Sequence, residues 1–375
     1  MHQLEQDAAE VRAAVVRATA PLVDRDVLGE VVALCAVARE HLLVIGPPGT
    51  GKSEAVRRVA GELGGSYFEY LLGRFTEPNE IFGPIDLRKL REGVVEVQTA
   101  GMLPEADVVF LDEIFLGSTA ILNTLLGILN ERTYRRGATV VQSPLRVCVG
   151  AANRLPDDPA LDAFADRFLA RVFVEPISDA RLEELLEAGS SSDPDVPRGT
   201  TRIDIDALDR LHEAARTCDL SPARQVLATA LRTLRGAGLN LTDRRLVRVQ
   251  RLVAAAAVLD GRASASARDF WVIPLVATTP DAQATARESL STLLDDAGNA
   301  GLVNAAEEFS RGRAARAERL RSSAATLLAG PEAADHRLRI EAVLRELDAT
   351  FEASDLSPEL ATLRNDLVQR VAEDG

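Results

Sequence analysis

Residues 46–53 read Gly46-Pro47-Pro48-Gly49-Thr50-Gly51-Lys52-Ser53 and match G-x-x-x-x-G-K-[ST] at every fixed position. Glycines in such a loop let backbone N–H groups turn inward around phosphate oxygens. A helix that starts on the loop adds its N-terminal partial positive charge. Lys52 would then sit against β- and γ-phosphates, and Ser53 would ligate Mg²⁺. Gly46, Pro47, Pro48, Gly49, Thr50, Gly51, Lys52 and Ser53 are therefore a candidate triphosphate cradle. The alternative is a Gly/Pro turn that fits the pattern by chance.

A second constellation, Val108-Val109-Phe110-Leu111-Asp112-Glu113, ends in two acids. Acids at the end of a buried strand are costly unless they bind a cation or do chemistry. Asp112 suits the second shell of Mg²⁺, and Glu113 suits the base that activates water for attack on a γ-phosphate. A strand-ending acidic turn or helix cap is the plain alternative.

These residues need a scaffold, and the flanking pattern supplies one. His41-Leu42-Leu43-Val44-Ile45 is a short apolar run that reads as a buried strand entering the loop. Ser53–Leu63 reads as a helix closed by Gly64-Gly65. Further strands are expected over Ser66–Leu72, Val108–Leu111, Arg146–Gly150 and Arg171–Val174, with helices between them, notably Ser118–Arg132. Near-continuous apolar strands alternating with helices indicate a parallel sheet covered on both faces. Residues 1–40 read as helical. Between the second and third strands, Phe75–Glu105 is irregular, with Gly93-Val94-Val95-Glu96-Val97 reading as a β-hairpin. Ser190–Thr201 reads as an exposed loop, and the chain beyond it as helical, with a stripe of Leu338, Ile340, Val343, Leu344, Leu347 and Phe351.

Composition narrows the function. The chain has 375 residues, 46% hydrophobic and 27% charged, which suits a globular protein of two or three domains. Its net charge is −14, and residues 281–375 hold half of it. A protein this acidic lacks the positive field that non-specific nucleic-acid or membrane-surface binding needs. No apolar run reaches the ~20 residues of a membrane span. Three scattered cysteines, Cys35, Cys148 and Cys218, build neither a disulfide framework nor a metal cluster, so a reducing cytoplasm is expected. Only two lysines occur, Lys52 and Lys89, among 43 basic residues. Lys52 suits a compact point charge on phosphate, whereas no role for Lys89 is legible.

At this point the residues resemble the AAA+ ATPases, and among them the MoxR family, closest to its RavA-like branch. The words that carry the likeness span roughly residues 20–280. They are Arg74-Phe75-Thr76-Glu77-Pro78-Asn79-Glu80-Ile81-Phe82-Gly83-Pro84, Gly101-Met102-Leu103-Pro104-Glu105-Ala106, Phe110-Leu111-Asp112-Glu113-Ile114-Phe115, Ile121-Leu122-Asn123-Thr124-Leu125-Leu126 and Leu129-Asn130-Glu131-Arg132. The resemblance implies an α/β P-loop module with a parallel sheet, then an all-α lid and an α-helical C-terminal extension. Its expected bounds are 1–177 for the nucleotide-binding subdomain, 178–280 for the lid and 281–375 for the acidic helical region. Phe75–Glu105 would be the family's insert in helix two. Residues 281–375 look too short and too helical for the accessory domain of RavA-like proteins, so partners of that branch do not carry over.

The resemblance also implies roles. Asn153 would orient water and γ-phosphate. Arg167 would be the finger that reaches a neighbouring subunit's nucleotide. Thr242-Asp243-Arg244-Arg245 would carry the lid sensor, Arg244 being preferred to Arg245. ATP and Mg²⁺ would be the ligands, a homo-hexameric ring the assembly, and a von Willebrand factor A-domain protein the partner, remodelled in a chaperone-like way. The competing expectation is a nucleotide-gated scaffold whose assembly, not hydrolysis, is the function. A nucleic-acid remodeller fits less well, because one Trp and three Tyr offer little stacking surface.

Overall fold

A computed structural model describes residues 2–156, 158–177, 181–191, 203–310, 313–329, 336–351 and 356–373. In chain order the first elements are α1 (His2–Thr19), α2 (Asp26–Ala38), β1 (Leu42–Ile45), α3 (Lys52–Leu63) and β2 (Tyr67–Leu71). Next come α4 (Pro78–Phe82), α5 (Leu87–Arg91), β3 (Val108–Asp112), α6 (Thr119–Glu131), β4 (Thr133–Arg136), β5 (Thr139–Gln142), β6 (Val147–Ala152), α7 (Pro159–Ala165) and β7 (Ala170–Phe173). Helices follow: α8 (Leu182–Ser191), α9 (Ile205–Thr217), α10 (Ser221–Gly236), α11 (Asp243–Leu259), α12 (Pro280–Ser289), α13 (Ser291–Leu294), α14 (Val303–Ser310), α15 (Arg313–Ala329), α16 (His336–Thr350) and α17 (Pro358–Glu373).

The parallel sheet has five strands in the order β2-β3-β6-β1-β7. Every residue of β1 and β6 is buried, which is why these strands read as unbroken apolar runs. Register sets Leu42 beside Val149 and Ala170, and Val108 beside Tyr67 and Val147. One face of the sheet packs Leu43, Val109, Leu111 and Cys148 against Ile121, Leu125 and Ile128 of α6, with Phe82 and Phe168 completing the cluster. α1, α2 and α3 pack against one another, and α2 also meets β1 and β6. Nearly all of α2 is buried from Leu28 to Ala38, so it has no solvent stripe. Strands ending side by side in one direction place the chain turns after β1, β3 and β6 together, where ligands of open α/β sheets bind.

The insert differs from the expectation. Gly93–Val97 forms no hairpin of its own. Instead, residues 84–86 and 96–98 pair as the arms of a narrow antiparallel ribbon. Asp86 N donates to Glu96 O at 2.8 Å, Gln98 N donates to Pro84 O at 2.9 Å, and Ile85 bridges Val97. Between the arms lies α5, started by the Asp86 carboxylate and closed at Gly93, whose φ of 81° suits glycine. Lys89 finds its partner here, in an ion pair with Glu96. The β4–β5 hairpin was not expected either. Its two-residue turn is Gly137-Ala138, and a Cβ on Gly137 would come within 2.6 Å of Val95 O, so the hairpin and the insert touch through a glycine.

Contacts group the described residues into two units. The first takes in residues up to 20, 25–175 and 197–310; the second takes in 21–24, 176–196 and 311 onward. Within the second, α15, α16 and α17 close around Leu320, Ala324, Ile340, Leu347, Phe351, Leu360 and Leu367. The expected stripe is thus buried at Ile340, Leu347 and Phe351, with Val343 and Leu344 against it, while the Leu338 side chain lies outside what is described. Of the loop expected over Ser190–Thr201, Ser190 and Ser191 end α8 and the remainder lies outside the described residues.

Candidate nucleotide site

The loop after β1 leaves the sheet at Gly46, whose N–H donates to Ala152 O at 3.1 Å. A Cβ there would lie 2.1 Å from Val174 O, so only glycine fits. Gly49 and Gly51 have φ of 78° and 72°, which reverse the chain before α3. Four of the loop's carbonyls, those of Gly46, Pro47, Thr50 and Gly51, meet donors. Gly46 O and Pro47 O each accept from Lys52 Nζ at 2.8 Å, and Pro47 O also accepts from Thr50 Oγ1 at 3.0 Å. Thr50 O accepts from Arg25 Nε at 2.7 Å, and Gly51 O from Ala55 N at 3.0 Å. Lys52 opens α3 with two of its three N–H donors on the loop, leaving a third for a phosphate oxygen. Burial pulls its ammonium below the ordinary range, Asp112 and Glu113 oppose that pull, and Arg25 adds to it.

β3 delivers the acids. Asp112 ends the strand, and its carboxylate accepts from Glu113 N at 2.9 Å. Glu113 has φ 50° and ψ 46°, a left-handed conformation that costs a non-glycine residue about 1–2 kcal/mol. That backward turn follows directly from the strand's last residue. The Glu113 carboxylate accepts a short hydrogen bond from Asn153 Nδ2, just past the end of β6. Lys52, Asp112, Glu113 and Asn153 therefore converge from three adjacent strand ends, with Ser53 next to Lys52 at the start of α3.

The remaining predicted residues form a second group. Arg167 Nε is buried without a hydrogen-bond partner. Arg244 donates from Nη2 to Asn130 Oδ1 at the end of α6. Burial lowers the Arg244 pKa, and the neighbouring positive charges of Arg248 and Arg167 lower it further. Arg245 is different. It is 1% exposed, and its guanidinium donates to Asp166 at 2.7 Å and to Leu169 O, Val276 O and Phe168 O at 2.8 Å. Four of its five donors are thus used, three holding α11 to the chain entering β7 and one to Val276. Thr242 caps α11 by accepting from Arg245 N. Sequence reasoning missed Arg25 and the tie between Asn130 and Arg244. Both are contacts between residues distant in sequence with no local signal.

A phosphate loop on a five-stranded parallel sheet, with an acidic pair and an amide at the neighbouring strand ends, defines the AAA+ class of P-loop proteins. Comparison identifies the family. Residues 9–213 match the model of the MoxR domain in MoxR-vWA-beta-propeller ternary systems, and the chain belongs to the MoxR family. Two uncharacterised proteins of Methanocaldococcus jannaschii are each 35% identical over 239 residues, 63% of this chain. The chain spans 63% and 62% of their lengths. A structural protein of Acidianus two-tailed virus is 29% identical over 177 residues, 44% of this chain and 29% of its own length. A crystal structure from Cytophaga hutchinsonii, assigned as an ATPase, superposes with a TM-score of 0.62 at 14% identity. It covers 79% of this chain and 97% of its own, a likeness of fold. No helix among the described residues is long and apolar enough to cross a membrane.

Proposed function

We propose that the protein hydrolyses ATP as a MoxR-type AAA+ ring and uses the cycle to remodel or mature a protein partner. The observation that carries this reading is the convergence of Lys52, Asp112, Glu113 and Asn153 beside the phosphate loop. Loop N–H groups and Lys52 would bind the β- and γ-phosphates. Ser53 and Asp112 offer the oxygen donors that Mg²⁺ prefers, and the ion when bound would neutralise phosphate charge. Glu113 would take a proton from water as the water oxygen bonds to the γ-phosphorus and the bond to the β-phosphate oxygen breaks, giving ADP and phosphate. Asn153 would hold the Glu113 carboxylate and then the water.

Arg167, whose Nε is buried without a hydrogen-bond partner, would reach a neighbouring subunit's nucleotide, and the assembly would hence be a ring, with six subunits as in the family. Of the lid pair, Arg244 is our sensor, since Arg245 is committed to the chain's own backbone. We keep residues 1–177 as nucleotide-binding subdomain, 178–280 as lid and 281–375 as a helical region for partner choice. The matched family's description supports a von Willebrand factor A-domain partner. The RavA-like placement rests on the ordered sequence words alone. The free cysteines Cys35, Cys148 and Cys218 support a cytoplasmic setting.

The test is phosphate release by the wild-type chain and two variants. Lys52→Ala should abolish turnover by removing phosphate binding. Glu113→Gln should still bind ATP while turning over about 10²–10⁴-fold more slowly. Unchanged turnover in Lys52→Ala would sink the proposal. Partner release by Glu113→Gln at the wild-type rate would turn the reading to the scaffold.

A further inference from the structure

We propose that Arg25 is a positioning residue for the phosphate loop, fixing the direction of the Gly51 N–H. The proposal rests on the nucleotide reading above and deepens it.

The loop is short of donors. Pro47 and Pro48 have no N–H, so two of the eight residues from Gly46 to Ser53 cannot contribute one. The remaining amides therefore carry more of the phosphate contact, and their directions matter more. In a trans peptide the carbonyl of one residue and the N–H of the next point in opposite directions. Holding the Thr50 carbonyl away from the cradle thus aims the Gly51 N–H into it. Arg25 Nε does this from 2.7 Å, and a Cβ on Gly51 would lie 3.9 Å from the same nitrogen.

Arg25 is well placed to be rigid. Its residue is 5% exposed. Its own carbonyl accepts from Gly29 N at 3.0 Å, so it begins the buried helix α2. Its Nη2 reaches Glu175 O at 3.3 Å, next to the Val174 carbonyl that Gly46 approaches. One guanidinium therefore ties the second half of the loop to the chain that backs its first half. The planar guanidinium fork holds its two carbonyls at fixed angles, which the freely rotating ammonium of a lysine would not. Arg25 also adds positive charge beside Lys52, which an arriving phosphate would relieve.

The test measures ATP binding with Mg²⁺, steady-state kcat and KM, and amide exchange at Gly51 in the full chain and in Arg25→Gln. Loss of one charged hydrogen bond should raise Kd and KM for ATP about tenfold, with kcat within about twofold of wild type. Gly51 exchange should quicken. If Arg25→Gln does not fold, Arg25→Lys takes its place, with a rise of about threefold for a donor that keeps the charge but lacks the rigid fork. Wild-type ATP affinity in the variant, or a fall in kcat with KM unchanged, overturns the proposal alone. A wild-type chain that binds no ATP overturns the nucleotide reading and this proposal with it.

Discussion

The two ends of the parallel sheet both carry polar side chains close to the core, and they use them in opposite ways. At the N-terminal end most of these groups satisfy one another, Glu40 Oε2 and Arg171 Nε being the exceptions. His41 Nδ1 accepts from Cys148 N at 3.1 Å and Nε2 meets Leu129 O at 3.0 Å; burial and the Arg132 charge hold the ring well below its ordinary pKa. Arg146 bridges Asp209 at 2.7 Å and Asp107, which in turn accepts from Ser66 N at 2.7 Å. Arg39 joins the same Asp209. At the C-terminal end four loop carbonyls meet donors, but Lys52 keeps a donor and Glu113 stands in a strained backbone conformation with one oxygen on Asn153. Closed networks hold the strands in register, whereas groups with remaining capacity and stored strain await a ligand.

The sharpest break of that comparison lies in Arg167, whose Nε has no partner. If it is open because a neighbour's phosphate completes it, Arg167→Ala should leave the melting temperature in place and slow hydrolysis about 10³–10⁵-fold. Mixing Arg167→Ala with Lys52→Ala subunits should restore turnover, because some interfaces then pair an intact Lys52 with an intact Arg167. Wild-type turnover in Arg167→Ala, or no recovery on mixing, would return Arg167 to the structural class.

Arg244 and Arg245 bring the comparison down to neighbouring residues. Arg245→Met would leave Asp166 and three buried carbonyls without their donor, a loss of about 3–5 kcal/mol read by chemical denaturation. Arg244→Met removes one bond to Asn130 and should change stability by only about 0.5 kcal/mol. Its effect should fall on hydrolysis instead. Equal destabilisation by the two substitutions would erase the distinction.

That pair also shows what a sequence can carry. The phosphate loop was legible because its glycines, lysine and serine are contiguous and the strand before it is a plain apolar run. Asp112 and Glu113 were legible because acids end a buried strand. The choice between Arg244 and Arg245 was not decidable by pattern. Consecutive helical residues point about 100° apart, and which one meets Asp166 depends on how α11 packs, 79 positions along the chain. Arg25 was invisible for the same reason, since its partner lies 25 residues on. The β4–β5 hairpin had a local signal in Gly137-Ala138 between two polar-apolar runs, but the expectation of helices between strands obscured it. The ribbon around α5 had none, because its arms pair across a helical turn. Lys89 gained its explanation only when that ribbon set it beside Glu96.

Glu30 tests where the comparison stops, because it is closed in geometry and open in charge. It lies in α2, 5% exposed, and its carboxylate accepts from Asn304 Nδ2 at 2.9 Å and Ala305 N at 2.7 Å in the first turn of α14. Burial nevertheless pushes its carboxyl from 4.5 up to about 7, against the pull of those donors. Between these values the unfolded chain releases the proton while the folded chain keeps it. Stability must therefore fall as pH rises through that window and level off above about 7. The contribution is about 3 kcal/mol at 1.36 kcal/mol per pKa unit. Glu30→Gln keeps an acceptor oxygen and cannot ionise. Denaturation at a series of pH values should show the variant gaining on wild type from pH 4.5 to about 7, then holding a constant lead. A stability difference that stays flat across that range would mean the helix start neutralises Glu30 fully. The carboxylate would then belong with the closed groups after all.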